Sequence, residues 1–523
     1  MAGGPELASL ADALALAGWE DAPLSGPDAR ILAARQAARP FLPPAIVQAV
    51  QAVVALVRPA GPDPYFERLA ARRDTVRMVR YFLARLAKDP EDLAAAHHLA
   101  RVAPMTGETG EVEAALAALP GPLAPLGLAV AGELALTAGR AGDAVARLEQ
   151  SLTRFPASAV RFRLGQARLA LGERQPALAE LRQVVAERPW DALALGRCFE
   201  LAMARDGLRA TLPGSVVACL YSYRNAARLD RTLAALAATD WRYAEAGAEP
   251  RLVALDNGSP DGTGQVLAAW RERLGTHLAT VTLPVNVGAP AARNWLAGLP
   301  DVRRAAFVAF LDDDALVPAD WLGRFGAAVA ASPAAGVYGC LVRGVTAPAF
   351  VQSADAHLWP TPRRDGGMDR GFDLLRPWLA TPNWGQYAVI RPCSSVTGCC
   401  HLFAAEVLAA SGGFDIRFSP SQYDDLDHDL RLLARGLTPV YTGHLAVVHD
   451  KATGTASGPG QPGYGTGFAN QFKLHQKYDD AGLAAMAETA FAALARDAAA
   501  KGRALAGDGP SFWDAAGEGG HGR

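Results

Sequence analysis

At Thr211–Gly214 the chain changes its period. Before that point, apolar residues recur at spacings of three and four between short Gly/Pro breaks, which is the pattern of helices burying one face. After it, short apolar runs end in polar, glycine-bearing loops and alternate with helical stretches. One core does not accommodate both patterns, and 523 residues are enough for more than one. The expectation is an all-α domain over residues 1–206, an α/β domain over 213–453 and a tail of helices over 454–523. Strand and helix in alternation require a largely parallel sheet with helical crossovers.

The helical part carries a repeat, clearest over 124–190. Gly132, Leu136, Gly139, Ala144, Leu148 and Pro156 recur 33 residues later as Gly165, Leu169, Gly172, Ala177, Leu181 and Pro189. Small residues at fixed offsets let paired helices approach, and a proline closes each pair. The units resemble tetratricopeptide repeats, whose usual period is about 34 residues. Asp89–Pro120 reads as a degenerate earlier unit. Such units bury their faces by stacking. The array is therefore expected to bind a protein partner, to hold a homodimer or to pack against the next domain.

In the second part, the run Ala305–Leu311 reads as a buried strand that ends abruptly in Asp312, Asp313 and Asp314. Adjacent carboxylates repel, and burying them costs several kcal/mol or so without a compensating cation. Two readings follow: a divalent-metal site with Asp312 and Asp314 as a D-x-D pair, or a solvated turn in which one Asp caps the next helix. Further loops follow the other expected strands. Tyr221-Ser222-Tyr223-Arg224-Asn225 follows Ser215–Tyr221, and DNGSPDGT (Asp256–Thr263) follows Arg251–Leu255. Asn286-Val287-Gly288 leads into a helix that carries Arg293 and Asn294.

In this order the loops resemble those of the family 2 glycosyltransferases. The matching stretches are DNGSPDGT, NVGAPAARN at Asn286–Asn294 and LDDD at Leu311–Asp314, followed by the GGFD turn Gly412–Asp415. Tyr423-Asp424-Asp425-Leu426-Asp427-His428-Asp429-Leu430-Arg431 is similar to the family's E-D-x-D-x-x-x-R helix start, with Asp424 where Glu is commoner. The first strand departs from the family, with Tyr221 for the usual Pro and Arg224-Asn225 for Asn-Arg. The resemblance spans about Ser215 to Tyr478. It implies a GT-A, Rossmann-like nucleotide-diphospho-sugar transferase domain and an inverting transfer to a hydroxyl acceptor.

It also implies roles. Asp314 and Asp312 are expected to bind Mn²⁺ or Mg²⁺, and His449 matches a histidine that completes this metal site in many relatives. Asp425 matches the general base, with Asp424 as the fallback. On the donor side, Asp256 is expected to accept from the nucleotide base, with Tyr221, Ser222 and Tyr223 lining its pocket. Asn286 and Gly288 belong to the donor loops, Arg293 is expected to offset diphosphate charge, and Asp313 to touch ribose or sugar. A UDP-sugar is the first expectation for the donor. The acceptor is expected to be a polysaccharide, a lipid-linked glycan or a protein. The Gly-rich stretch Thr453–Gly467 reads as a lid or a linker.

Composition removes other classes. Lys plus Arg total 51 against 53 for Asp plus Glu, and no basic block recurs, which argues against nucleic acid as a partner. No apolar run reaches the ~18 residues of a membrane helix, and the N-terminus lacks a basic segment like that of a signal peptide. Six scattered cysteines without a C-x-x-C pair suit a reducing compartment. Adjacent Cys399 and Cys400 read as small core residues. The expected location is cytoplasmic, either free or peripheral at the inner face of the membrane. The competing reading is a non-catalytic interaction protein whose repeats recruit a partner and whose second half only binds nucleotide. A nucleotidylyltransferase fits the GGFD turn and the acidic helix start poorly.

Overall fold

The computed structural model describes residues 5–58, 61–107, 109–245, 250–345, 350–361, 363, 370–379, 381–450 and 462–507. It divides into two compact units. The first is Met1–Leu201 with Pro382–Gln386, and the second is Ala202–Thr381 with Tyr387–Arg523.

In the first unit the regular elements of Met1–Leu201 are all helices among the described residues, and Pro382–Gln386 is irregular. The repeat appears as two helical hairpins, Ala124–Thr137 with Ala141–Leu152, and Ser158–Ala170 with Arg174–Glu187. The equivalence of their glycines is physical. Gly139 and Gly172 both adopt positive φ (77° and 80°) in the tight turn between the two helices of each pair. Gly132 and Gly165 both face a leucine of the partner helix. A Cβ on Gly132 would lie 2.7 Å from Leu148, and one on Gly165 would lie 3.3 Å from Leu181. The core runs from Trp19, edge-on to Phe155, to Leu164 and Ala167.

The second unit is built on a ten-stranded mixed sheet among the described residues. Its strands are β1 (Val216–Ser222), β2 (Leu252–Asp256), β3 (Leu278–Thr282), β4 (Phe307–Asp312), β5 (Ala315–Leu316), β6 (Tyr338–Gly344) and β7 (Val351–Ser353). After a separate two-stranded ribbon, β8 (His357–Pro360) with β9 (Phe372–Leu375), come β10 (Ile390–Pro392), β11 (Cys400–Ala404) and β12 (Val440–His449). The order is β10-β12-β6-β11-β4-β1-β2-β3, with β5 on β12 and β7 on β6. Strands β3, β2, β1 and β4 are mutually parallel, whereas β11 enters antiparallel between β4 and β6. This is the α/β domain expected from the sequence, preceded by the all-helical region.

Register fixes what stands at the sheet's edge. Tyr221 lies opposite Asp312, and Ser222 opposite Asp256, so β1, β2 and β4 release their polar residues at one carboxyl edge. Ligands of open α/β sheets sit at that edge. The buried run Phe307–Leu311 anchors it, each large side chain contributing about 1.5–3 kcal/mol of apolar burial.

Two segments differ from their sequence reading. Thr438–Tyr441 and Leu445–Val448, expected as separate strands, form the single strand β12, with a register shift between Thr442 and Ala446. Gly443 interrupts the apolar pattern because the Tyr387 carbonyl packs where its Cβ would stand. Most of the expected lid, through residue 461, lies outside the described residues, and the helix Pro462–Lys477 begins within its last part.

Gly132→Val should destabilise the helical unit by about 1–3 kcal/mol, because the hairpin has no space for the added methyls. Urea denaturation of the full chain, with the earlier transition compared between variants, reads this directly.

Candidate active site

The acidic stretch at the end of β4 divides into three different environments. Asp312 is half-exposed; its Oδ1 accepts from the Tyr221 hydroxyl at 3.3 Å and lies 3.4 Å from Arg293 Nη2. Asp313 turns inward, accepting from Ser222 Oγ (2.5 Å) and Asn225 Nδ2 (2.8 Å), while Thr232 Oγ1 donates to its backbone carbonyl. Burial pushes the Asp313 carboxyl up to about 7, against the pull of those two hydrogen bonds. Asp314 is buried, with Oδ1 2.9 Å from His449 Nε2.

His449 arrives from far along the chain because β12 pairs antiparallel with β5, setting His449 opposite Ala315. Its Nε2 also lies 3.9 Å from Asp312 Oδ2. Its Nδ1 faces Gln352 Oε1 at 2.9 Å. The Gln352 amide and the Asp314 carboxylate thus hold the two ring nitrogens of His449. Two carboxylates with one imidazole form a donor set suited to a divalent ion. Asp312 and His449, whose ligand atoms lie within 4.8 Å of each other, fit a metal; Asp314 contacts His449 but stands outside that group.

The second acidic group opens the helix Asp424–Leu433. Three of its four acids are buried and engaged. Asp424 pairs with Arg293, Asp427 with Arg431 and Lys477, and Asp429 accepts from Ser395 Oγ and Val396 N. Asp425 is the half-exposed one, its carboxylate oriented by the backbone N–H groups of Gly398 and Leu426, both at 2.8 Å. Burial raises Asp424 to about 6; Arg293 opposes the shift and Asp425 adds to it.

Arg293 joins the two acidic groups. Buried among them, it contacts Asp424, Asp312 and the Gly398 carbonyl, with the Tyr221 and Phe414 rings 5.3 and 5.4 Å from its guanidinium carbon. Burial works against its charge, but Tyr221, Asp424 and Asp312 outweigh that and raise its pKa. It is thus an internal counter-ion for these acids rather than a cation presented to solvent.

The remaining donor-side residues form a second cluster. Asp256 Oδ1 accepts from Ser259 N (2.9 Å), and Asn257 bridges to Asn286 Oδ1 and Val287 N, each at 3.0 Å. Asn286 Oδ1 also accepts from Gly288 N. Gly288 needs its positive φ of 85°, and a Cβ there would press on Ser419 and Pro420. Tyr223 is exposed beside the buried Ser222.

Several contacts carry no signal in the sequence. Gln352 orients His449, and Gly398 serves Asp425 with its N–H and Arg293 with its carbonyl. Gln422 and Tyr423 hold positive φ (77° and 72°) ahead of Asp424, a costly backbone for non-glycine residues and one found at functional sites. Buried Asn470 donates to the carbonyls of Phe418 (2.7 Å) and Ser421 (2.9 Å), fixing the loop that leads into that turn.

Residues 215–391 match the family model described as Glycosyl transferase family 2. The chain carries a family 2 glycosyltransferase domain. The N-terminal part of the second unit, including the Asp312–Asp314 stretch, lies within that match, whereas Asp425 and His449 lie beyond it. No curated protein matches the chain. Similar solved structures include GalNAc-T7 with UDP, GalNAc and Mn²⁺ (13% identity, TM-score 0.40, 53% of this chain and 49% of that one). Another is the mannosyltransferase PcManGT from Pyrobaculum calidifontis with GDP-Man and Mn²⁺ (18%, 0.37, 65% and 90%). A third is S. aureus TarS 1-349 (14%, 0.33, 56% and 74%). The chain spans about half the length of the first of these. Likeness at this level carries no argument about the chemistry of the glycosyltransferase domain, which rests on its residues.

Asp424 has its carboxyl raised from 3.8 to about 6, so the folded state holds that proton more tightly than the unfolded chain. Its ionisation thus takes stability away as pH rises through that window. Asp424→Asn removes this component: measured by urea melts, its stability relative to the parent should rise between pH 4 and pH 7.

Proposed function

We propose that the protein is a metal-dependent, inverting glycosyltransferase that moves a sugar from a nucleotide-diphosphate donor, UDP-linked as the first candidate, to a hydroxyl acceptor. One observation carries the reading. The side chains proposed for the cation (Asp312, Asp314, His449) and the half-exposed Asp425 are joined through Arg293 and Gly398 into one site at the carboxyl edge of the sheet. The family 2 match supports it independently.

A bound Mn²⁺ or Mg²⁺ supplies charge stabilisation for a diphosphate leaving group. The chain's own residues do the rest. The Asp256, Asn286 and Gly288 loops and the Tyr221–Tyr223 strand end form the donor cradle. Asp313 holds Ser222 and Asn225 of that cradle in place. Asp425 takes the proton from the acceptor hydroxyl as it attacks, its carboxylate aimed by two backbone N–H groups. A single base and direct displacement invert the anomeric carbon. Arg293 keeps Asp424 and Asp312 from repelling one another, leaving Asp424 the fallback base only where that pair opens. The acceptor is a glycan, a lipid-linked sugar or a protein, and the helical unit is the candidate recruiter of that acceptor or of a protein partner. Among the described residues, no helix is long and apolar enough to cross a membrane.

Two measurements test this reading. Thermal melts with UDP-, GDP- and dTDP-sugars should show stabilisation that requires Mn²⁺ or Mg²⁺, and a flat response to all of them would overturn the assignment. Asp425→Asn should keep that stabilisation while transfer falls about 10²–10⁴-fold; unchanged turnover would move the base elsewhere.

A further inference from the structure

We propose that Cys399 is a sulfur ligand of the metal site, so that the site favours thiophilic divalent cations such as Co²⁺, Zn²⁺ and Cd²⁺ over Mg²⁺. The proposal rests on reading Asp312 and His449 as metal ligands and adds a donor that neither the motif nor the resemblance suggests.

The geometry follows from the ladder. Strand β11 runs antiparallel to β4 with Cys400 opposite Leu311, and one step further Asp312 N donates to the Cys399 carbonyl at 2.9 Å. Directly opposed residues of an antiparallel pair project to the same face, and successive residues alternate. Cys399 thus stands on the face of Asp312 and Cys400 on the opposite face, both of them buried in the core of the second unit. The β5–β12 pairing delivers His449 to the same place. The result is a carboxylate oxygen, a thiol sulfur and an imidazole nitrogen that all lie within 4.8 Å of one another. Metal bonds of about 2.3 Å to sulfur and about 2.0 Å to nitrogen or oxygen place ligand atoms roughly 3.5 Å apart.

The chemistry follows from the donor types. Oxygen ligands alone hold Mg²⁺ and Mn²⁺; an imidazole and a thiolate shift preference toward softer ions. As the metal–sulfur bond forms, the thiol S–H bond breaks and its proton leaves to solvent, so binding releases one proton from Cys399.

The test uses the full chain, freed of metal and of thiol reductants, titrated with Co²⁺. A sulfur-to-cobalt charge-transfer absorption in the near ultraviolet should grow to saturation, be displaced by Zn²⁺ and resist excess Mg²⁺. In Cys399→Ser the absorption should vanish while Co²⁺ still binds, and Cd²⁺ affinity should fall about tenfold or more with Mg²⁺ affinity little changed. Where the serine variant does not fold, Cys399→Ala serves, and the absorption of the unaltered protein remains decisive by itself. Saturable Co²⁺ binding without the absorption would overturn the sulfur ligand and leave the metal site intact. Persistence of the absorption in a folded Cys399 variant would overturn it equally. Absence of any Co²⁺ binding would overturn both the ligand and the metal reading beneath it.

Discussion

The second unit depends on one buried cation. Arg293 stands between Asp312 at the end of a central strand and Asp424 at the start of a helix, and it also holds the Gly398 carbonyl that separates them. Without it, two acidic groups would face each other in a poorly hydrated space. Breaking a buried pair by removing one partner typically costs about 3–5 kcal/mol. The guanidinium suits this role through its planar fork, which reaches several acceptors at once and stacks on aromatic faces. Tyr221 and Phe414 supply those faces.

Around that cation the sheet acts as a positioning device. Parallel pairing of β1, β2 and β4 aligns the donor-side loops, and the antiparallel entry of β11 sets Gly398 and Cys399 beside Asp312. The return of β12 delivers His449. The acids at the helix start are then sorted by environment. Asp427 and Asp429 are consumed by structural partners, and Asp425 keeps an accessible carboxylate. Four similar residues in a short stretch thus acquire different chemistry from their neighbours alone.

Much of this was legible in the sequence. The period change, the glycine-marked repeat and the alternation of strand and helix are local patterns, and they announced both units. Motif order singles out Asp312, Asp314, Asp425 and His449 as candidates, and the fold brings His449 to Asp312 and Asp314. The contacts of Arg293 leave no trace in the sequence, because an arginine after an N-x-G loop gives no hint that two distant carboxylates will enclose it. Cys399 is the buried core residue its sequence suggests, its place beside Asp312 follows only from strand register, and Gln352 and Asn470 act through contacts with residues remote in sequence. Gly443 split one strand into two for a similar reason, its need for close packing being a tertiary fact.

The return of β12 has a consequence for how the protein matures. The loops at the ends of β1, β2 and β4 can form from contiguous chain, but His449 joins them only once the last strand has threaded into the sheet beside β6 and met β5. Such distant closures come slowly, because the entropy of ordering the intervening chain is spent before the contact is gained. The imidazole of the proposed metal site thus joins the aspartates late in folding, and a nascent or partly unfolded chain holds the aspartates without it.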